Sequence, residues 1–271
     1  MENHIKEKIN KLGVPLNKWN VQINYGIKTG YNEAFIINGL KRDELIKKSP
    51  TSKNIIRPIL RGRDIQKYKA NWQDLYIIET FPTLKLDIEQ FPAIKEHLLS
   101  FGIDRLKQTG DPGARKKTNN KWFETQDSIS YRDDFFKQKI IYPNMTKFLP
   151  FYYDEHGFLT NQKCFIITGK NIGFLTAFFN SSIFKFCFKE SFPELQGGTR
   201  ELSKVFFDKI PVIQITDKQN QQFEIMVKEV QSMKNQKTDT LALEKQIDQL
   251  IFDLYDLNDD ERNAVGYIEI K

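Results

Sequence analysis

Cysteine, histidine and long apolar runs are what this 271-residue sequence has little of. Its two cysteines, Cys164 and Cys187, sit in phenylalanine-rich surroundings; they are too few for a disulfide framework and read as reduced core residues of a cytoplasmic protein. The three histidines, His4, His97 and His156, lie far apart without an HExxH pattern or a cysteine pair, so no zinc site is expected. No apolar stretch approaches the roughly 20 residues of a membrane-spanning helix. The polar start MENHIKEKIN is not a signal peptide, so membrane anchoring is not expected either. A GxxxxGK phosphate loop, a GxGxxG turn and a GxSxG elbow are all missing. Asp133-Asp134 ahead of Lys137 and Lys139 is the nearest approach to a nuclease carboxylate motif, and it is a poor one. No catalytic residue and no metal ligand is therefore expected, and no repeat or low-complexity tract is present.

What is there is a core and a charge imbalance. Apolar residues make up 39% and aromatics 13%, with 22 phenylalanines, enough for a large core with rings left over for surfaces. The net charge is +6, unevenly spread. Residues 238–271 hold three basic and nine acidic side chains, a net of −6, which leaves +12 on the rest. A basic body with an acidic tail fits a polyanion binder whose C-terminal element faces away from the ligand.

The pattern divides the chain into three. Residues 1–18 begin with a short amphipathic helix (Ile5, Ile9, Leu12) that Gly13 and Pro15 end, a linker from something upstream. Residues 19–214 mix short strands with helices and show no regular alternation. Strands are expected at Ala34–Ile37, ending in an Asn38-Gly39 turn, and at Leu75–Thr80, Lys139–Tyr142 and Lys163–Thr168. Helices are expected at Lys41–Lys47 and, fully buried, at Gly173–Lys189. Residues 215–271 turn helical, with one stripe of Phe223, Met226, Val227 and Val230 and another of Ile247, Leu250, Ile251 and Leu254. A further helical turn starts at Asn258 with Glu261 as its capping-box partner.

Five segments carry recognition chemistry. In GIKTGYNEAFII, Gly26 and Gly30 let the backbone lie close to a ligand and present Lys28 and Thr29. In IIRPILRGRDIQKY, Arg61 and Arg63 belong to a run, Lys53–Lys69, with six cations against Asp64 alone; internal pairing of an arginine with Asp64 is the alternative. TGDPGARKKTNNKWFETQ gathers Arg115, Lys116, Lys117, Asn119, Asn120 and Lys121 in a loop that is otherwise merely solvated. YPNMTKF exposes Asn144, Thr146 and Lys147 at a strand end. ELQGGTRELSK offers Gln196, Thr199 and Arg200, unless Arg200 pairs with Glu194 or Glu201. Lysine and arginine neutralise phosphates, while asparagine, glutamine and arginine match purine edges in the major groove.

At GIKTGYNEAF and RPILRGRDI the sequence resembles the TaqI-like C-terminal specificity domain, the target-recognition domain of adenine-specific DNA methyltransferases and of single-chain type II restriction-modification enzymes. The resemblance continues through WFETQDSISYRDDFFKQKIIYPNM, FLTAFFNSSIFKFCFKE and ELQGGTRELSKVFFDKIPV to LEKQIDQLIFDLYDLNDDE, nearly the whole chain in order. It implies an α+β fold: a twisted double-β-helix-like body with inserted helices, then a C-terminal α-helical hairpin. It also implies double-stranded DNA as partner and a covalently linked upstream methyltransferase domain. The Asn-Pro-Pro-Tyr-type motif and glycine-rich strand of such a catalytic domain are absent; Tyr142-Pro143-Asn144 is not that motif. No cofactor is therefore expected in this chain; S-adenosylmethionine, and magnesium if the parent cuts DNA, would belong to the missing catalytic part. The alternative is a protein-interaction module docking through its C-terminal helices.

Overall fold

Two four-stranded sheets, built from β-branched and aromatic runs, form the middle of the computed structural model, which describes residues 1–269. The first sheet is antiparallel throughout, in the order Tyr152–Asp154, Lys139–Pro143, Cys164–Gly169, Val21–Tyr25. Alternation of side chains along its strands splits them between two cores. Ile140, Tyr142, Phe165 and Ile167 face the helices, whereas Ile141, Cys164 and Ile166 face the second sheet. The second sheet runs Leu159–Thr160, Ile56–Leu60, Leu75–Ile78, Ile36–Asn38, with the first pair parallel and the others antiparallel. Its Ile59 and Ile77 meet the first sheet, while Ile37, Ile56, Tyr76 and Ile78 pack with residues of the helices Gly39–Lys48 and Pro92–Leu99. The result is a mixed α+β architecture with helices outside both sheets.

Between Tyr152 and Cys164 the chain leaves the first sheet, adds one strand to the second, and returns. This crossing explains Gly26. A Cβ there would lie 1.9 Å from the carbonyl oxygen of Asn161, so the close approach read as a ligand contact is an internal one between neighbouring backbones.

The phenylalanine-rich insert is two helices, Ile172–Asn180 and Ser182–Phe188, rather than one. Ser181 is extended between them, and its side chain accepts the Phe184 N–H as an N-cap. The segment Ala34–Ile37 also departs from expectation. Asn32–Phe35 forms one helical turn and only Ile36–Asn38 is strand. Asn38-Gly39, read as a turn, starts a helix, because the Asn38 side chain accepts the Lys41 N–H.

After Pro211 the helices Asp217–Asn235, Leu241–Leu254 and Asp259–Val265 follow. Thr216 with Gln219, and Asn258 with Glu261, form reciprocal capping boxes at two of their starts. Phe223, Met226, Val227, Val230, Ile247 and Ile251 are buried in the first sheet's core, with Leu250 and Leu254 packed against it. The stripe needed by a protein-docking reading is thus interior. The helix Glu2–Leu12 buries Ile5 and Ile9 in the same core, and Val14-Pro15 pairs with Pro211-Val212. Both cysteines are buried and free, and burial pushes the Cys187 thiol up to about 12. Among the described residues no helix is long and apolar enough to cross a membrane.

Candidate nucleic-acid interface

A cleft of about 820 Å³ opens between the body and the turn that joins the helices Asp217–Asn235 and Leu241–Leu254. Six cations line it, Arg63, Lys67, Lys69, Lys163, Lys234 and Lys237, against one carboxylate, Asp239. Asn144, Thr146 and Thr238 add polar groups, and Met145 and Phe148 add exposed apolar ones. A shallower depression beside it shares Gly62, Arg63 and Lys163 and extends the surface to Arg61, Asn32 and Glu33. At this junction Gly62 is pressed on Lys163: a Cβ would lie 2.7 Å from the Lys163 carbonyl oxygen. The glycine thereby brings Arg63 and Lys163, both exposed, to one rim.

One wall is held by a buried ion cluster. Glu244 receives Lys67 at 2.6 Å and Lys234 at 3.0 Å, and the Thr240 hydroxyl donates to it at 2.7 Å. Burial alone would raise its carboxyl, but Lys67, Thr240 and Lys234 overcome this and hold it at about 2, below the ordinary 4.5. The folded-state value is depressed, so the stabilisation is fully present above pH 4.5 and is lost as pH falls towards 2. Its size is at most roughly 3 kcal/mol. We expect Glu244→Gln to lose that part of the pH dependence in acid titrations followed by circular dichroism. Identical acid profiles for the two proteins would contradict the assignment.

The residues expected to touch DNA separate into surface groups and anchors. Arg115, only 2% exposed, is an anchor. Its guanidinium donates to the carbonyls of Leu106, Thr29, Glu124 and Trp122 at 2.6–2.8 Å, so it fastens the loop and does not reach a phosphate. Burial, with Arg105 nearby, lowers it to about 10, which leaves it charged at neutral pH. Arg200 is also buried, and it donates to Phe192 O, Glu190 and Glu194. Thr29 is buried with its hydroxyl donating to Asn32, and the Asn120 amide donates to Thr125 O and Gln126 O. Arg61 forms a two-pronged pair with Asp64 at 2.8 and 3.0 Å. For Arg115, Arg200, Thr29 and Asn120 the physical reason is shared: these side chains complete the hydrogen bonding of backbone that no strand partners, whereas Arg61 is taken up by a neighbouring carboxylate.

Lys28, Lys116, Lys117, Asn119, Lys121, Lys147 and Gln196 are exposed, and Thr199 is half-buried. Antiparallel pairing of Arg200 with Thr146 sets the 194–200 loop beside the Asn144–Lys147 segment and the cleft. Lys28 and the 115–127 segment meet through backbone hydrogen bonds, Gln126 to Thr29 O and Asp127 to Lys28 O. None of Lys116, Lys117, Asn119 and Lys121 lines the cleft.

The sequence reading missed Lys163, Lys234, Lys237, Met145 and Phe148. Lys67 and Lys69 carried a signal, the cation excess of residues 53–69. Lys234 and Lys237 did not: they stand at the end of a long helix with no local motif, and the acidic stretch that follows them was expected to face away, whereas its first residues, Thr238–Thr240, line the cleft beside them. Asp134 is occupied by Asn24 and Lys137, and among the described residues no group of three or more His, Cys, Asp or Glu could hold a metal.

Comparison with known proteins agrees with this architecture. The type IIL restriction-modification enzyme MmeI, solved in complex with DNA, superposes over 93% of this chain with a TM-score of 0.56 at 11% identity. The type IIG restriction endonuclease BpuSI does so over 94%, also with a TM-score of 0.56, at 14% identity. The chain spans 34% and 33% of those two proteins, and at these identities the likeness is one of fold. The type II methyltransferase M.MjaIV of Methanocaldococcus jannaschii is 23% identical over 241 residues, 85% of this chain and 77% of that protein. Residues 57–212, more than half of the chain, match the model of the TaqI-like C-terminal specificity domain, and the chain belongs to that family.

Proposed function

We propose that this chain is the double-stranded-DNA recognition module of a restriction-modification adenine-N6 methyltransferase or endonuclease, and that the basic cleft is the face it reads with. The observation that carries the reading is the cleft itself: six cations around polar Asn144 and Thr146, with Arg63, Lys163 and Lys237 in no ion pair among the described residues. Family membership and the DNA-bound relative support it. Residues 19–214 serve as the double-β-helix-like recognition body and 215–271 as a helical hairpin closing one side of the cleft. Residues 1–18 lead from a covalently attached upstream domain, and the whole acts on DNA in the cytoplasm.

Arg63, Lys163 and Lys237 hold phosphates, and Lys28, Lys116, Lys117, Lys121 and Lys147 add an outer electrostatic rim. Asn144, Thr146, Gln196, Thr199 and Asn119 are the candidate base readers. Arg115, Arg200, Thr29, Asn120 and Arg61 keep those loops in shape. Catalysis is assigned to the upstream part. The residues present do not fit S-adenosylmethionine, since the sequence has neither the glycine-rich strand nor the Asn-Pro-Pro-Tyr-type motif, and no step through it is derived.

The test is selection of this chain against a randomised duplex library at low and moderate salt, with sequencing of the retained DNA. Enrichment of a motif several base pairs long is the expected result. No retention at low salt would sink the proposal.

A further inference from the structure

The cleft holds a feature that charge neutralisation does not require. Phe148 is 52% exposed and Met145 45% exposed, both on its surface among lysines. Single half-exposed rings are common on protein surfaces; what sets this one apart is its place beside Met145 among the cations of the cleft.

The ring is held. The Phe148 N–H donates to the Thr146 hydroxyl at 3.1 Å, and the next residue, Leu149, has a left-handed backbone with φ of 50°. That conformation is unfavourable for a branched side chain. It is maintained because Leu149 is buried and its carbonyl accepts the buried Lys185 ammonium at 2.7 Å. On the other flank Thr146 is paired with Arg200, itself clamped by Glu190 and Glu194. Phe151, two residues beyond Leu149, exchanges both backbone hydrogen bonds with the Asn180 side chain. The turn is thus anchored on both sides, and Phe148 stays outward while its neighbour is drawn into the core.

An aromatic ring on an anchored backbone inside a cationic cleft matches an unstacked base, which offers a π-face and lies between phosphates. Apolar wedges at disturbed base steps work in the same way. We propose that Phe148, with Met145 beside it, is a stacking platform for a base displaced from the DNA duplex. The platform would lower the cost of opening the helix when a target base is withdrawn. This inference rests on the cleft being the DNA face.

The test compares the full chain with Phe148→Ala and Phe148→Trp on two mixed-sequence duplexes, one intact and one with a single unpaired adenine. The wild type is expected to prefer the unpaired-adenine duplex. Phe148→Ala should reduce that preference by about tenfold, within the range of base–aromatic stacking, and keep the salt slope on the intact duplex. Phe148→Trp should retain the preference, and its unchanged circular dichroism would show that the turn is intact. Equal preference in wild type and Phe148→Ala, with both still binding intact duplex, would overturn the platform and leave the DNA face standing. No binding of either duplex by the wild type would overturn both.

Discussion

Arg115→Ala is expected to destabilise the fold by about 3–5 kcal/mol without changing the salt slope of DNA binding where the protein is still folded. Four carbonyls from three separate stretches of chain converge on this guanidinium, which also lies over the Phe35 ring, and its stem lies against Gly30. Removing it strands those oxygens in a site too enclosed for ready hydration, and a charge-assisted hydrogen bond contributes about 1.5–3 kcal/mol. Relief of the buried cation's desolvation offsets part of the loss, so the net is smaller than four bonds would suggest. Arg115→Lys should rescue little, since an ammonium cannot reproduce a planar fork. Urea denaturation gives the stability change, and duplex titration at two salt concentrations gives the slope. Unchanged stability with a shallower slope would mean that Arg115 touches phosphate after all.

Arg115 also shows where sequence reading reaches its limit. In the sequence it stands in the densest cationic loop and looks like the first residue to meet a phosphate. The structure turns it inward, because the loop from Lys107 to Asp127 contains almost no regular secondary structure and its carbonyls need donors. Composition records charge and not direction, and only the backbone path decides which lysine or arginine serves as a donor inside. Arg200 went the same way for the same reason, with Glu190 and Glu194 as partners that the sequence had partly suggested. Arg63 and Arg61 were inseparable in sequence; a short turn gives Asp64 to Arg61 and leaves Arg63 outside.

Strands read well wherever burial on both faces demanded β-branched runs, as at Lys139–Pro143 and Cys164–Gly169. Ala34–Phe35 read badly, because a short apolar run cannot tell a helical turn from a strand. The two-sheet crossing was not legible at all, since Leu159–Thr160 is too short to carry a period. The cleft was half legible. Residues 61–69 and 144–147 announced themselves by charge and turn chemistry, whereas Lys163 and Lys237 join them only through packing of distant segments.

Those two lysines and Arg63 give the second large effect. All three are exposed, and none forms an ion pair among the described residues, so their removal leaves no buried partner behind. Each phosphate contact adds close to one unit of salt slope, which at 0.1 M salt corresponds to about eightfold in affinity. The triple variant Arg63→Ala, Lys163→Ala, Lys237→Ala should therefore bind mixed-sequence duplex roughly 10²–10³-fold more weakly at that salt, with a slope shallower by about three. Its unfolding midpoint should stay close to that of the wild type. Titrating the two proteins side by side from low to moderate salt is the measurement that bears most directly on the cleft as the DNA face. Parallel loss of affinity and slope is the predicted result, and undiminished binding by the triple variant would place the DNA elsewhere on the molecule.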